Sequence, residues 1–93
     1  MAPVILYECL PDVLPVVETA LAAHGYIVTA PLQKSVGGGQ ALVMDAGSAS
    51  VLVMYPVADK RAEIEVWGTA RDATASFLEA LPAKLHRRHA FGN

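Results

Sequence analysis

The chain has 93 residues, of which 54% are apolar and 17% are charged, and its net charge is −2. This composition excludes an intrinsically disordered protein, and the length predicts a single domain over residues 1–93, because each of two halves would be too small to bury a core. The single cysteine, Cys9, excludes an internal disulfide and a cysteine-based zinc site, so a reducing cytoplasm is the expected location.

The first third of the chain predicts a strand, a helix and a second strand. Val4–Tyr7 is a short β-branched and aromatic run that is typical of a strand. Apolar residues recur at helical spacing over 14–21, and Gly25 suits the left-handed position that ends a helix. Residues 26–30 are the second strand, which ends before Pro31. A strand, helix and strand this close together predict a right-handed parallel crossover.

The remaining two thirds predict three strands and a second helix. The strands span 40–45, 50–57 and 62–67. The helix begins near residue 70 with apolar residues at helical spacing as far as Leu85, and Pro82 should kink or interrupt it. We therefore expect the α+β class: a two-layer sandwich of order βαβββα, with a mixed sheet and both helices on one face.

Side-chain alternation along the strands gives the sharpest indication of function. The strand 62–67 alternates as expected for a sheet with one wet face, since Glu63, Glu65 and Trp67 share the side away from its apolar residues. The strands 40–45 and 50–57 are apolar on both sides. Two helices cannot cover both faces of such a sheet, so we expect another layer on the second face.

The interface predicted from this surplus consists of Val53, Met54, Tyr55 and Trp67, because aromatic residues and methionine are enriched at protein interfaces. A homodimer is the first expectation, since twofold self-pairing is the commonest assembly. A different protein partner is the second. In the alternative without a partner, the sheet curls until the loop 31–40 and the C-terminal segment cover the face.

The C-terminal segment 84–93 is the second candidate site. It contains Lys84, Arg87 and Arg88 and no acid, whereas residues 1–83 have a net charge of −5. We expect the three cations to bind a partner, either an acidic protein surface or the phosphates of a nucleic acid. No nucleic-acid-binding motif accompanies them, and cations are also favoured at a helix C-terminus by the helix dipole.

Three further features suggest chemistry but lack its context. The glycines 37–39 precede a strand, whereas a phosphate loop precedes a helix. His86 and His89 have helical spacing without a third metal ligand, so no metal or other cofactor is expected. Cys9, beside Glu8, lies where strand 1 meets helix 1. A helix N-terminus can lower the pKa of a thiol and make it reactive, but a buried structural cysteine is favoured here.

These observations predict a small cytoplasmic protein, non-enzymatic and regulatory, that acts as an adaptor or inhibitor through an apolar sheet face and a basic C-terminal segment. No apolar run reaches the roughly 18 residues of a membrane-spanning helix, and the N-terminus lacks the basic start of a signal peptide. The alternatives are a nucleic-acid-associated protein that uses the basic segment and a small enzyme or ligand-binding domain with its pocket near Cys9.

Overall fold

The structure, a computed structural model, describes residues 4–34, 38–57 and 60–88. A short 3₁₀ turn at Pro11–Val13 leads into the first helix. The elements in chain order are β1 (Ile5–Cys9), α1 (Leu14–Ala23), β2 (Ile27–Lys34), β3 (Gln40–Asp45), β4 (Ser50–Tyr55), β5 (Ala62–Trp67), α2 (Arg71–Glu79) and β6 (His86–Arg88). The α+β class is confirmed. The order βαβββα, which has four strands, is corrected to βαββββαβ: all five segments predicted as strands form strands, and β6 follows α2.

The strands form one sheet in the order β2-β3-β4-β5-β1-β6, and every pairing is antiparallel. The expected mixed sheet with an adjacent parallel crossover is therefore corrected. β1 and β2 do run in the same direction, but three strands separate them, because α1 carries the chain across the sheet to its far edge. Three short connections then return the chain from β2 to β5, and short connections favour antiparallel pairing.

Both helices pack on the same face of the sheet, as the sequence predicts. The core between the two layers takes alternate residues from the strands and the apolar stripes of the helices. Its members with no exposed surface include Tyr7, Val51, Val53, Ile64, Val66, Leu14, Val17, Leu21 and Leu78.

Tyrosine hydroxyls connect the sheet to each helix. The hydroxyl of Tyr7 on β1 donates to a carboxylate oxygen of Glu79 on α2 at 2.5 Å. The hydroxyl of Tyr55 on β4 donates to Glu18 on α1. Burial, reinforced by the bond to the Glu79 carboxylate, raises the pKa of Tyr7 well above its ordinary value, so this hydroxyl stays protonated and remains a donor.

The chain after α2 differs from the helix expected to continue toward Leu85. α2 ends at Glu79, and residues 86–88 pair with β1 as the edge strand β6. Pro82 explains the end of the helix, because a proline inside it would clash with the carbonyl of Leu78 and would donate no backbone hydrogen bond. Neither helix of the described chain has the length and apolar character that crossing a membrane would require.

Candidate interface on the open sheet face

One face of the sheet has no second layer among the described residues. Its side chains on β1, β3, β4 and β5 are half-buried, whereas Ile5, Leu42 and Val53 on the helix side are at most 6% exposed. We call this surface the open face. Its residues include Leu6, Glu8, Ala41, Val43, Asp45, Ser50, Leu52, Met54, Glu63, Glu65, Trp67, His86 and Arg88.

The strand register arranges these side chains in rows across the sheet. One row runs through Val43, Leu52, Glu65, Leu6 and Arg88, and the next through Ala41, Met54, Glu63, Glu8 and His86. Four apolar residues, the apolar strip, therefore lie side by side on β3 and β4: Ala41, Val43, Leu52 and Met54. Glu63 and Glu65 form an acidic strip beside it on β5.

The charges of the open face are unevenly balanced. Glu8 lies 2.5 Å from a guanidinium nitrogen of Arg88 and 3.8 Å from one of Arg61. Glu63 and Glu65 make no side-chain hydrogen bond or ion pair with any residue that the structure describes. Partial burial raises the pKa of Glu65, and the charge of Glu63 raises it further. The acidic strip thus presents two uncompensated carboxylates beside an apolar surface.

The structure divides the four predicted interface residues between the two faces. Met54 and Trp67 lie on the open face. Val53 has no exposed surface, and Tyr55 points toward α1, where it bonds Glu18, so these two assignments are corrected. The sequence could not decide between the faces of β4, because that strand is apolar on both sides.

The face also contains functional candidates that were not singled out from the sequence. Leu52 and Val43 stand in the middle of the apolar strip, and Leu6 pairs with Glu65 from β1. They could have been found from the alternation of polar and apolar residues on β5, which shows which of its side chains face away from the core. The strand pairing then identifies the residues on the same side of the neighbouring strands. That register depends on β1 pairing with β5, which joins segments more than fifty residues apart.

The three predicted partner-binding cations do not form one patch. Arg87 and Arg88 follow each other in β6, so their side chains point to opposite faces. Arg87 pairs with Glu79 of α2 at 3.2 Å, whereas Arg88 reaches Glu8 on the open face. Lys84 is exposed before the strand begins. An acidic neighbour therefore compensates each of the two arginines.

Glu8 and Cys9 do not share a pocket, because successive strand residues point to opposite faces. Cys9 has no exposed surface under the helices, and this burial raises the pKa of its thiol, which keeps it in the unreactive protonated form. Glu8 lies on the other side of the sheet in its ion pairs. This arrangement fits the structural cysteine that the sequence favours.

The glycine run and the histidine pair form no recognisable binding site in the described residues. Gly38 and Gly39 lead into β3, a strand, as expected, and Gly37 lies outside the described residues. His86 belongs to a strand, and His89 lies outside the described residues, so the helical spacing assumed for the pair does not apply. Within the described ranges, no three histidine, cysteine or acidic side chains come together as a metal site would need.

Two depressions in the surface lie on the helix side. A groove of about 500 Å³ runs between α1 and Leu81–Pro82, with Val16 and Thr19 in its wall. A smaller depression of about 220 Å³ lies beside His24 and Thr74. Neither is lined by a residue of the open face.

The alternative without a partner, in which the loop 31–40 and the C-terminal segment cover the open face, is not seen in the described parts of these segments; residues 35–37 and 89–93 lie outside the described residues. Residues 31–34 belong to β2 and residues 86–88 to β6, so both segments extend the sheet at its edges. Comparison with protein-family models, with curated proteins and with solved structures finds no match to this chain.

Proposed function

We propose that this protein is a non-enzymatic interaction module that works by presenting its open face to another polypeptide. The observation that carries this proposal is the apolar strip, which lies half-buried on the side of the sheet away from both helices. Exposed apolar surface bordered by polar groups is typical of protein interfaces, with aromatic residues and methionine as frequent anchors. Met54 within the strip and Trp67 on the same face match that composition.

The positions of the other reactive groups support a binding role over a catalytic one. The open face is the surface of a sheet, and the two depressions described on the helix side include none of its carboxylates in their walls. Cys9, the one thiol of the chain, is buried beneath the opposite face. A regulatory or adaptor role in the cytoplasm, where a buried free thiol is stable, is consistent with this arrangement.

A comparison of matched variants tests the proposal. Leu52→Thr/Met54→Thr makes the apolar strip polar while keeping residues that suit a strand. Val16→Thr makes the same kind of change on the exposed side of α1, where Val16 is 47% exposed. Each protein, with its fold checked by circular dichroism, is immobilised and exposed to an extract of the source cells, and its self-association is followed by light scattering.

We expect the native protein and Val16→Thr to bind either a partner chain or a second copy stoichiometrically. We expect Leu52→Thr/Met54→Thr to lose this binding. A partner that the double variant still binds would place the interaction elsewhere. A native protein that stays monomeric and binds nothing would contradict the proposed function.

A further inference from the structure

We propose that the occupant of the open face is an amphipathic helix of a partner protein, with a stripe of lysine or arginine beside its apolar stripe. This inference rests on the proposed function and adds the chemistry of the partner. The apolar strip and the acidic strip, which lie side by side along neighbouring strands, together define that chemistry.

The dimensions of the open face suit a helix. A helix packed on a sheet is the usual way to complete a further layer, and the open face lacks one in the described chain. Neighbouring strands are ~4.8 Å apart, and a helix with its side chains is ~10 Å across. One helix lying along the strands can therefore contact the apolar strip on β3 and β4 and reach the acidic strip on β5.

The acidic strip specifies the charge of the occupant. Glu63 and Glu65 project from one face of β5, and alternate strand residues are separated by ~6.7 Å. Basic residues four positions apart on a helix are separated by ~6 Å along its axis, which is a close match. Both carboxylates lack a cationic partner among the described residues, so a basic stripe would supply the missing charges next to the apolar contact.

The same charges disfavour a second copy as the occupant. If the apolar strips of two copies stack on each other with their acidic strips on the same side, the acidic strips meet. If the acidic strips are on opposite sides, each lies over β2 of the other copy, where the open-side residues Ile27, Ala30 and Gln33 supply no cation. If the copies are shifted so that β4 lies over β5, carboxylates are buried against apolar side chains. The cations of this region, Arg61 and Arg88, already contact Glu8 and are not placed to compensate Glu63 and Glu65. The acidic strip would likewise repel the phosphates of a nucleic acid.

The test uses two synthetic amphipathic helices with the same leucine stripe, one with lysine and the other with glutamate in the flanking stripe. Each is titrated into the native protein. Binding is followed by the fluorescence of Trp67, the single tryptophan of the chain, which lies on the open face. Backbone amide NMR shifts locate the binding site. Glu63→Gln/Glu65→Gln is the test variant, and Asp12→Asn/Asp72→Asn removes the same charge from two exposed positions elsewhere.

We expect the leucine–lysine helix to shift the amides of β3, β4 and β5 and to change the Trp67 emission, and the leucine–glutamate helix to bind far more weakly. The glutamine variant should weaken the first interaction roughly tenfold, since two ion pairs are lost, and should reduce its salt dependence. The asparagine variant should bind like the native protein.

Equal binding of both helices, or unchanged affinity in the glutamine variant, would contradict the inference that the partner helix has a basic stripe. The open face would remain an interaction surface. A dimer that Leu52→Thr/Met54→Thr abolishes would also overturn this proposal and make a second copy the occupant. Shifts confined to the groove beside α1, or no binding of the leucine–lysine helix, would overturn it as well. A different result would contradict the proposed function itself: native protein and Leu52→Thr/Met54→Thr would bind the same partners and self-associate to the same extent.

Discussion

Glu8 and Glu63 lie directly opposite each other on β1 and β5, a like-charged cross-strand pair in the middle of a six-stranded sheet. Two arginines contact Glu8, whereas Glu63 has no such contact within the described residues. Directly opposed like charges destabilise a sheet. The fold therefore retains a like-charged pair at the surface where we place the partner, as expected when a binding site is kept at some cost in stability.

Glu63→Gln should make the protein more stable. Removing one charge of the opposed pair relieves its repulsion, and we expect a gain of about 0.5 kcal/mol in the free energy of unfolding. Urea denaturation at neutral pH measures it. Asp12→Asn, which changes an exposed acid of the 3₁₀ turn, is the control and should leave the stability nearly unchanged. A Glu63→Gln protein that is less stable than the native one would show that this carboxylate has a favourable contact.

The pH dependence of stability should have opposite signs at Glu65 and Asp45. The pKa of Glu65 is raised in the fold by partial burial and by Glu63, so its contribution to stability declines as the pH rises through that raised pKa. The pKa of Asp45 is lowered by the Gly47 amide and then by the Ser50 hydroxyl. Its contribution is complete above the ordinary carboxyl pKa and is lost as the pH falls through the lowered one.

The contributions of Glu65 and Asp45 are separated by measuring the urea unfolding midpoint of each variant across the acid pH range. Glu65→Gln should remove part of the decline with rising pH and gain stability at neutral pH. Asp45→Asn should lose stability at neutral pH and flatten the loss in strong acid. Identical pH profiles for the two variants would contradict these assignments.

Tyr7→Phe should test the connection between the sheet and α2. The change removes the hydroxyl that bonds Glu79 and keeps the ring in the core, so we expect a loss of about 1 kcal/mol. Tyr55→Phe removes the corresponding bond to Glu18 from a side chain that is only half-buried, and its loss should be smaller. Equal or absent losses, measured by urea denaturation, would show that these hydroxyls exchange freely with water.

Local pattern was sufficient to predict both helices, five of the strands and the two faces of β5, because those features follow from the periodicity of apolar residues. It was insufficient where the outcome depends on distant partners. The residues of β6, His86–Arg88, have no strand pattern and become a strand by pairing with β1. That pairing also separates Arg87 from Arg88, which were expected to act together.

The open face was predicted in kind but not in all its members. The surplus of apolar residues on 40–45 and 50–57 correctly indicated a face that the helices leave uncovered. The sequence also places Val53 and Tyr55 on this face, because β4 is apolar on both sides and its alternation does not show which side chains face the helices. Their side is decided by the pairing of Val53 with Leu42 and Ile64, both of which belong to the core.

Cys9 should be unreactive in the folded protein. Its side chain has no exposed surface and its thiol pKa is raised by burial, so little thiolate is available to attack a disulfide reagent. We expect labelling by Ellman's reagent to be slow in buffer and fast in concentrated urea. Rapid labelling in buffer would indicate an accessible thiol and would revive the interpretation of a reactive site near Cys9.

Gly68→Ala should be strongly destabilising, and Gly25→Ala is its matched control. Both glycines have a positive φ, 112° and 98° respectively, so alanine is strained at either position by about 1 kcal/mol. At Gly68 a Cβ atom would also lie 2.5 Å from the carbonyl oxygen of Ser48, a backbone atom, whereas at Gly25 nothing lies within 4 Å. That oxygen accepts the backbone N–H of Ala70 just before α2 begins, at 2.9 Å, so it cannot move without disturbing the helix start.

Urea denaturation should therefore show a loss of about 1 kcal/mol for Gly25→Ala and of more than about 2 kcal/mol for Gly68→Ala, since the second variant adds a backbone clash to the strain. Amide exchange should locate the extra loss: protection in the first turn of α2 should fall in Gly68→Ala and stay unchanged in Gly25→Ala. Equal losses in the two variants would mean that the connection between β5 and α2 relaxes easily around the added methyl group. A larger loss at Gly68 identifies its close approach to Ser48 as the contact that sets where α2 begins over the sheet.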